Sequence, residues 1–390
     1  MMSRVYLDHN ATSPLRPAAF EAMTAVLAEP GNASSTHREG QAARARVEQA
    51  RAQVANLVGA DPGAVVFTSG ATEADGLALT PELELSGREV KCDVLLISAV
   101  EHPAVRVGGR FTQEQIETIP VDAAGVVDLA ALDLILAHHK GAGRRPFVSV
   151  MAANNETGVI QPLAEIASRV HGVDGVFHVD AVQVPGRYPF DLAASGADLI
   201  SITAHKLGGP QGAGALIARD AKTRVPSIIR GGGQERGARA GTENVVAIVG
   251  FGAAAEAAAS KVSEETGRLA GLRDKIEKGL RAVAPDTVIF SEAALRVPNT
   301  TYYAVPGITA ETSLMAYDLA GVAVSSGSAC SSGKVAASPV LSAMRADPEI
   351  ARCAIRVSTG WNTMDADIVR FLEVFSGLHA KQKGKRTVAA

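Results

Sequence analysis

The sequence predicts an α/β protein in which helices cover both faces of a mostly parallel sheet, together with a smaller α+β domain. Two observations lead to this prediction. Up to about residue 220, short apolar runs bounded by turn residues alternate with segments of helical periodicity, which is the pattern of a parallel sheet with crossover helices. After residue 240, long helical segments give way to short strands mixed with helices, which indicates a second folding unit.

Six apolar runs in the first part are predicted to be buried strands, and the segments between them to be helices. Residues 37–58 have apolar side chains at helical spacing, with arginine and glutamate on the opposite face. Further helices are predicted over residues 129–139 and 162–171. The predicted strands are residues 64–67, 93–98, 147–151, 176–179, 198–202 and 213–218.

The second part predicts a smaller domain whose boundary lies near residue 260. The large domain is expected to comprise residues 15–260, and the small domain residues 1–14 and 261–390. The last predicted helix before the boundary is 243–260. The predicted helices of the small domain are 263–283, 310–320 and 365–379, and its predicted strands are 287–290, 299–304 and 354–358.

Composition excludes several classes of function. Hydrophobic residues make up 47% of the 390 residues and the net charge is −3, so neither direct nucleic-acid binding nor membrane binding is expected. No segment offers the ~18 uninterrupted apolar residues of a membrane span. The three cysteines, Cys92, Cys330 and Cys353, match neither a disulfide framework nor a zinc pattern. No metal site is predicted, and a reduced, cytoplasmic location is expected.

Two polar residues directly follow predicted strands and suggest cofactor chemistry. Asp180 ends the segment His178-Val179-Asp180, and Lys206 follows the strand over 198–202. The carboxyl ends of parallel strands are where α/β proteins bind their ligands. A lysine amine can form a Schiff base with the aldehyde of pyridoxal phosphate, while an aspartate keeps the pyridine nitrogen protonated. Taken singly, an aspartate such as Asp180 is more often a helix cap, and a lysine such as Lys206 is more often a surface residue.

Three further strand ends carry ligand-binding chemistry. The segment 68–73, Thr-Ser-Gly-Ala-Thr-Glu, opens a helix and offers backbone N–H groups and hydroxyls to a phosphate, although its Thr72 and Glu73 also suit a helix cap. His102 follows the strand over 93–98, and Asn155 lies in the segment 154–158 after another strand. His102 can stack on an aromatic cofactor or carry protons, although a lone histidine is often structural. No dinucleotide fingerprint G-x-G-x-x-G follows the first strand.

Cys330 lies in a segment of serine and glycine, Ser325-Ser-Gly-Ser-Ala-Cys330-Ser-Ser-Gly333. Its only apolar neighbour there is an alanine, so the pattern does not resemble core, whereas Cys353 sits in an apolar strand pattern and Cys92 beside charged residues. A thiol on such a segment suits a nucleophile that attacks and then delivers sulfur.

Together these segments resemble the cysteine desulfurases, members of the class V branch of the fold-type I pyridoxal-phosphate enzymes. The likeness runs from Leu7-Asp-His-Asn-Ala-Thr12 to Arg356-Val-Ser358. Its most specific part is the Cys330 segment, which resembles the active-site cysteine loop of the NifS and IscS group. The sequence departs from the family pattern at Ala33, Gly76 and Gln234. The resemblance implies a fold-type I transferase with a seven-stranded, mostly parallel sheet in the large domain.

The resemblance also assigns site residues. It implies that Lys206 bonds covalently to pyridoxal 5'-phosphate, that Asp180 pairs with the pyridinium nitrogen and that His102 lies over the ring and carries protons. Arg356 would clamp the substrate carboxylate, and Cys330, on a loop over about 325–338, would take the sulfur. The other implied contacts are Gln183 to the phenolic oxygen, Asn155 to the cofactor or substrate, and Ala71, Thr72, Thr203, His205 and the neighbouring subunit's Thr242 to the phosphate.

The implied activity is removal of sulfur from L-cysteine, giving L-alanine and a persulfide on Cys330. The sulfur would pass to an acceptor protein, such as an iron–sulfur scaffold, and the Thr242 contact implies a homodimer. Nothing in the residues distinguishes iron–sulfur assembly from nitrogenase supply or tRNA thiolation. Alternatives are a selenocysteine lyase, a small-substrate aminotransferase, which would not need the Cys330 segment, and an inactive sulfur-transfer scaffold, which should have lost Lys206 or Cys330.

Overall fold

The structure is a computed structural model that describes residues 4–327 and 338–389, with side chains described up to residue 381. Its helices are α1 Pro17–Leu27, α2 Arg38–Leu57, α3 Ala71–Ala78, α4 Pro103–Arg106, α5 Leu129–Gly141, α6 Leu163–His171, α7 Leu192–Ser195, α8 Ala204–Leu207, α9 Val245–Ala259, α10 Val262–Val283, α11 Ala310–Leu319, α12 Pro339–Ala343, α13 Pro348–Ala351 and α14 Asp365–Ala389. Its strands are β1 Val5–Tyr6, β2 Val65–Thr68, β3 Glu82–Leu85, β4 Arg88–Lys91, β5 Val94–Ser98, β6 Ile116–Ile119, β7 Pro146–Ser149, β8 Val176–Asp180, β9 Leu199–Thr203, β10 Gly214–Ala218, β11 Val288–Ile289, β12 Thr300–Ala304, β13 Val322–Ala323 and β14 Ala354–Ser358.

The central sheet has seven strands in the order β2-β10-β9-β8-β7-β5-β6. Strand β10 runs antiparallel to both of its neighbours, and the other neighbouring pairs are parallel. The predicted fold class, with a mostly parallel seven-stranded sheet, is therefore confirmed. Strands β5, β7, β8 and β9 end at the same edge, so the residues that follow them meet there.

Apolar side chains on both faces of the sheet are buried, which explains why the strands are continuous apolar runs. Leu96, Phe177 and Ile200 belong to one core, and the alternate residues Leu95 and Leu199 to another. Successive side chains of a strand point to opposite faces. The helices must therefore cover both sides of the sheet, as in other parallel sheets.

A separate apolar core forms in the remainder of the chain. It joins side chains of β1, α10, α11, β14 and α14, among them Val5, Leu280, Tyr317 and Phe371. Strands β11, β12 and β14 form an antiparallel sheet, and β1 pairs with β13. The amino-terminal strand thus packs with elements that come more than 260 residues later in the chain.

Several elements were not predicted, for physical reasons. Strand β6 and the hairpin β3–β4 lack an apolar run, since Glu82, Glu84 and Glu117 interrupt them. Strands β1 and β13 are two residues long, too short to show periodicity. The predicted end of the last helix at residue 379 was wrong, because α14 continues to Ala389.

Within residues 4–327 and 338–389, no single helix is both long and apolar enough to cross a membrane. Helices α9 and α10 reach that length and composition only when they are taken together, and the chain bends by 75° between them.

A buried ion pair links α2 to the chain before α9. Arg51 donates to Glu235 Oε2 and Oε1 at 2.7 and 2.9 Å, and the Phe67 N–H donates to the same carboxylate at 2.8 Å. We expect Glu235→Ala to lower the free energy of unfolding by about 3 kcal/mol, because the buried Arg51 keeps only the half-exposed Glu48 as an ion-pair partner and the buried Phe67 N–H loses its acceptor. The matched control Glu292→Ala, which removes an exposed pair with Arg281, should cost at most about 1 kcal/mol. Urea unfolding followed by circular dichroism measures both, and equal losses would contradict the prediction.

Candidate active site

A cavity of about 680 Å³ lies at the carboxyl ends of strands β5, β7, β8 and β9. Of the predicted site residues, Thr242 does not line this cavity, and Cys330 lies outside the described residues. The structure brings the others together on the cavity wall: Ala71, Thr72, His102, Asn155, Asp180, Gln183, Thr203, His205, Lys206 and Arg356.

Lys206 lies in the short helix α8, which directly follows β9. Its Nζ donates to the backbone carbonyl oxygens of Asn10 and, at 2.7 Å, of Ala11. Burial lowers the pKa of Lys206 to about 7, and the positive charges of Arg187 and Arg356 act in the same direction. A large fraction of this amine is therefore neutral, and nucleophilic, at neutral pH.

We expect this shifted pKa to be visible in the cofactor-free protein. Below pH 7 the amine is protonated, so its labelling by acetic anhydride should rise about tenfold per pH unit and level off above a pH of about 7. Mass spectrometry of the Lys206 peptide measures the rate, with the exposed Lys222 as reference in the same sample. A rate that keeps rising through pH 9 would contradict this assignment.

Asp180 ends β8 and is 5% exposed. One of its oxygens accepts a hydrogen bond from the Val182 N–H at 3.0 Å. Burial raises the pKa of Asp180, while the Val182 hydrogen bond and the nearby His102 and Lys206 lower it. Burial, Asp180 and Glu101 together raise the pKa of the neighbouring Asp75 well above its usual range. Burial thus favours the protonated form of both carboxyls, and Lys206 opposes this effect at Asp180.

Sequence reasoning missed two buried carboxyl groups at this end of the sheet. Asp75, on α3, is 1% exposed, and its Oδ1 has no hydrogen-bond partner among the described residues. Glu101 accepts from the Ser98 hydroxyl and the Met151 N–H, and burial raises its pKa to about 8. For Asp75 the sequence did offer a signal, since this aspartate lies among the apolar residues that α3 buries.

His102 caps the amino terminus of α4. Its Nδ1 accepts from the Ala104 N–H at 3.2 Å, so the proton of the neutral ring is on Nε2. Burial lowers the pKa of His102, and Lys206 lowers it further, against the opposing effect of Asp180. The histidine is therefore held as a neutral imidazole at the cavity wall, a form that can stack on a ring or accept a proton.

Ala71 and Thr72 form the first turn of α3, beside Gly70. No atom lies within 4 Å of the position that a Gly70 Cβ would take, whereas a Cβ on Gly214 would stand 2.6 Å from the Gly70 carbonyl carbon. Glu73 holds this turn, since it accepts from the Ser69 N–H and from Arg239 Nε. The first turn of the helix thus faces open space that suits a phosphate.

The hydroxyl and imidazole predicted to contact the phosphate have partners within the chain. Thr203 donates to the Ala213 carbonyl at 3.1 Å, and His205 Nδ1 lies 3.1 Å from the Thr12 hydroxyl. Burial and the charge of Lys206 lower the pKa of His205 to about 4. His205 is therefore neutral at physiological pH and contributes a hydrogen bond rather than a charge.

Arg356 crosses from the small sheet to the cavity. It donates to Asp8 Oδ1 at 2.7 Å and to the Asn155 carbonyl at 3.0 Å. Its Nε is buried and has no partner among the described residues. The guanidinium is thus held in place with donor capacity remaining, as the binding of a carboxylate requires.

A second arginine, Arg187, was missed by sequence reasoning. It is 6% exposed and donates to the carbonyls of His9 and Lys206 and to the side chain of Asn10 at 2.8, 3.1 and 3.0 Å. It also contacts the Gln183 side-chain oxygen, while Gln183 Nε2 donates to the Asn10 carbonyl at 3.1 Å. This arginine attaches the amino-terminal segment to the cavity and adds positive charge beside Lys206.

These residues fit pyridoxal phosphate. The largely neutral Lys206 amine suits the aldehyde, the buried Asp180 suits the pyridinium nitrogen, and the open first turn of α3 suits the phosphate. No cluster of histidine, cysteine, aspartate or glutamate in the described part of the chain could hold a metal ion. A lysine and a carboxylate at the carboxyl ends of this sheet define an enzyme of the fold-type I pyridoxal-phosphate class.

Comparisons with known proteins place the chain within that class. Residues 5–371 match the model of the aminotransferase class-V family. A cysteine desulfurase of Gluconacetobacter diazotrophicus is 41% identical over 97% of this chain and 94% of its own length. An IscS-like cysteine desulfurase of Mycobacterium tuberculosis is 38% identical over 99% of this chain and 98% of its own length. The chain belongs to the class-V aminotransferase family and, within it, to the cysteine desulfurases.

Solved structures agree with this assignment. The NifS-like protein of Rickettsia africae is 34% identical, with a TM-score of 0.87 over 97% of this chain and 99% of its own. A structure described as SspA in complex with cysteine is 26% identical, with a TM-score of 0.73 over 90% of this chain and 98% of its own. The predicted family and fold class are both confirmed, and the enzymes of this family use pyridoxal phosphate.

Proposed function

We propose that this protein removes sulfur from L-cysteine with the help of pyridoxal phosphate, giving L-alanine and a persulfide on Cys330. The observation that carries the proposal is the placement of Lys206, Asp180 and Arg356 on one cavity wall, in a chain whose relatives are named cysteine desulfurases. The stem of the Cys330 segment reaches the same wall, since Gly327 also lines the cavity.

The proposed binding residues follow from their placement. Lys206 would hold the cofactor covalently, Asp180 would keep its ring nitrogen protonated, and His102 would contact its ring. Gln183 and Asn155 contact its oxygens or the substrate. When bound, the cofactor serves as the electron acceptor that makes the α-proton of the substrate acidic. The residues proposed for the phosphate are Ala71, Thr72, Thr203, His205 and, from the neighbouring subunit of a homodimer, Thr242.

Three side chains have separate roles in the proposed reaction. Arg356 orients the substrate carboxylate, and the neutral Lys206 amine takes the α-proton and later returns a proton to the α-carbon. The Cys330 thiolate attacks the substrate sulfur, so that an S–S bond forms and the substrate C–S bond breaks. The two sulfur atoms are oxidised to the persulfide level and the substrate β-carbon is reduced to a methyl group. That carbon gains the proton that the Cys330 thiol lost, so the step needs no external oxidant or reductant.

We also propose the arrangement that surrounds this chemistry. Residues 15–260 form the cofactor-binding domain, and residues 1–14 with 261–390 form the small domain that carries the Cys330 segment. The persulfide sulfur passes to an acceptor protein, such as an iron–sulfur scaffold. Lys206 and Cys330 are both present, which argues against an inactive scaffold.

The cofactor-loaded protein with L-cysteine and a dithiol tests the activity. A desulfurase forms alanine and sulfide in equal amounts. An aminotransferase would instead convert L-alanine and a keto acid to pyruvate and would release no sulfide from L-cysteine. A selenocysteine lyase would cleave selenocysteine and leave L-cysteine unchanged.

Arg356 provides a test of substrate binding. We expect Arg356→Lys to raise KM for L-cysteine by about 10- to 100-fold, because lysine keeps the charge but not the planar pair of donors. The matched control Arg352→Lys changes an exposed arginine next to the same strand and should leave KM unchanged. Steady-state alanine formation measures both, and an unchanged KM in Arg356→Lys would contradict the assignment.

A further inference from the structure

The two ends of the segment that carries Cys330 are both described, and each is hydrogen-bonded to a residue on the cavity wall or next to it in the chain. On one side, Ser325 exchanges two backbone hydrogen bonds with Arg356, at 3.1 and 2.6 Å. On the other side, the Ser338 hydroxyl donates to Glu156 Oε2 at 2.5 Å and accepts from the Leu341 N–H, which caps α12.

Gly327, at the first end, packs against the same carboxylate. A Cβ on Gly327 would stand 2.1 Å from Glu156 Oε2 and 2.2 Å from the Tyr302 hydroxyl oxygen. Only glycine allows the backbone to approach this closely. The Tyr302 hydroxyl also hydrogen-bonds to Glu156. One carboxylate thus contacts both ends of the segment.

Glu156 is itself firmly held. It lies in the turn after β7, where the side-chain oxygen of Asn154 accepts from the N–H groups of Glu156 and Thr157, both at 2.9 Å. It is 5% exposed, and Tyr302 is 1% exposed. Asn155, the residue before it, accepts from Arg356 and lines the cavity. Because the Glu156 side chain is fixed in this way, it can also fix the position of the residues that it binds.

We propose that Glu156, assisted by Tyr302, is a positioning residue that holds Gly327 and Ser338 beside the cavity and so sets where Cys330 meets the substrate sulfur. The proposal rests on the proposed function, since it assumes that Cys330 is the nucleophile. Glu156 does not touch the substrate; it acts through the two ends of the segment. Burial raises the pKa of Glu156, while Ser338, Arg356 and Tyr302 lower it.

An ordinary structural role would also make Glu156 important, so the test must separate the two. Misplacement of a reacting group by about 1 Å can cost about 100-fold in rate. Such a loss should fall on the sulfur-transfer step alone. A folding defect would instead reduce cofactor content and substrate affinity together with the rate.

The variants are Glu156→Ala, Glu156→Gln and, as a control, Glu277→Gln. Glu277 is a buried carboxylate paired with Arg296 and Thr301, and it does not line the cavity. We expect Glu156→Ala to lower kcat for alanine formation by about 100-fold, with KM for L-cysteine and the cofactor absorption spectrum unchanged. Glu156→Gln keeps an oxygen that can accept from Ser338, so it should recover part of the rate. Glu277→Gln should leave kcat unchanged.

A second readout does not depend on activity. Trypsin can cut after Lys334, which lies between the two ends. Glu156→Ala should release the two ends of the segment, so trypsin should cleave after Lys334 faster than in the wild type. Mass spectrometry measures this rate, and Glu277→Gln should be cleaved at the wild-type rate. Unchanged cleavage with unchanged kcat, or a rate loss matched by equal losses of cofactor and substrate binding, would overturn the proposal. If the wild type formed no alanine, the proposed function would fail, and the Lys334 comparison would still decide the role of Glu156.

Discussion

Lys206→Ala is expected to lower alanine and sulfide formation by about 10⁴-fold, because it removes the proposed covalent link to the cofactor and the proposed base for the α-proton. The rest of the cavity wall is unchanged, so the variant should still bind pyridoxal phosphate without a covalent bond. Borohydride reduction followed by mass spectrometry shows whether the cofactor is attached. In the wild type the attachment should be on the Lys206 peptide, and in the variant no peptide should carry it.

The control for this experiment is Lys222→Ala, which removes an exposed lysine and should leave both turnover and attachment intact. Covalent attachment at another lysine in wild-type protein would contradict the role of Lys206. So would a Lys206→Ala variant that turns over L-cysteine at the wild-type rate.

Cys330→Ala is expected to abolish sulfide and alanine formation, with a loss of about 10³-fold or more, because no other thiol is proposed to take the sulfur. Cofactor attachment at Lys206 should be unchanged, so the two halves of the proposed site are separable. Assays of alanine, sulfide and borohydride-fixed cofactor on the same preparation measure these effects.

The other cysteines provide matched controls. Cys92 is buried, and burial raises the pKa of its thiol to about 12, so it carries almost no thiolate at neutral pH. Cys353 is also buried, and its Sγ donates to the Glu349 carbonyl. Cys92→Ala and Cys353→Ala should therefore keep activity. Loss of activity in either control, with activity retained in Cys330→Ala, would contradict the choice of nucleophile.

The residues that could be predicted from sequence are those placed by local rules. Asp180 and Lys206 follow buried strands, and parallel strands end at a common edge, so their meeting in one cavity follows from the alternation of strands and helices. His102 and the Ala71–Thr72 turn were found in the same way. The apolar runs predicted six of the seven strands of the central sheet, but not β6, an edge strand whose two central residues are polar and exposed.

The residues that were missed depend on long-range contacts. Arg187 is important because its guanidinium reaches the carbonyl of His9, which is 178 positions away in the chain. Besides burial, the pKa of Asp75 is raised by Asp180, which comes from a distant part of the chain. Glu156 belongs to a segment that was recognised, but its contact with Ser338 spans 182 positions. No local pattern encodes such pairings.

The most direct test of the account is a single turnover with L-cysteine that carries labelled sulfur. Cofactor-loaded protein is mixed with one equivalent of substrate in the absence of reductant, and the products are quantified as alanine and as labelled sulfur on each cysteine peptide. The account predicts one alanine for each labelled sulfur, with all of the label on the Cys330 peptide. Alanine without label on Cys330, or label on Cys92 or Cys353 instead, would contradict it.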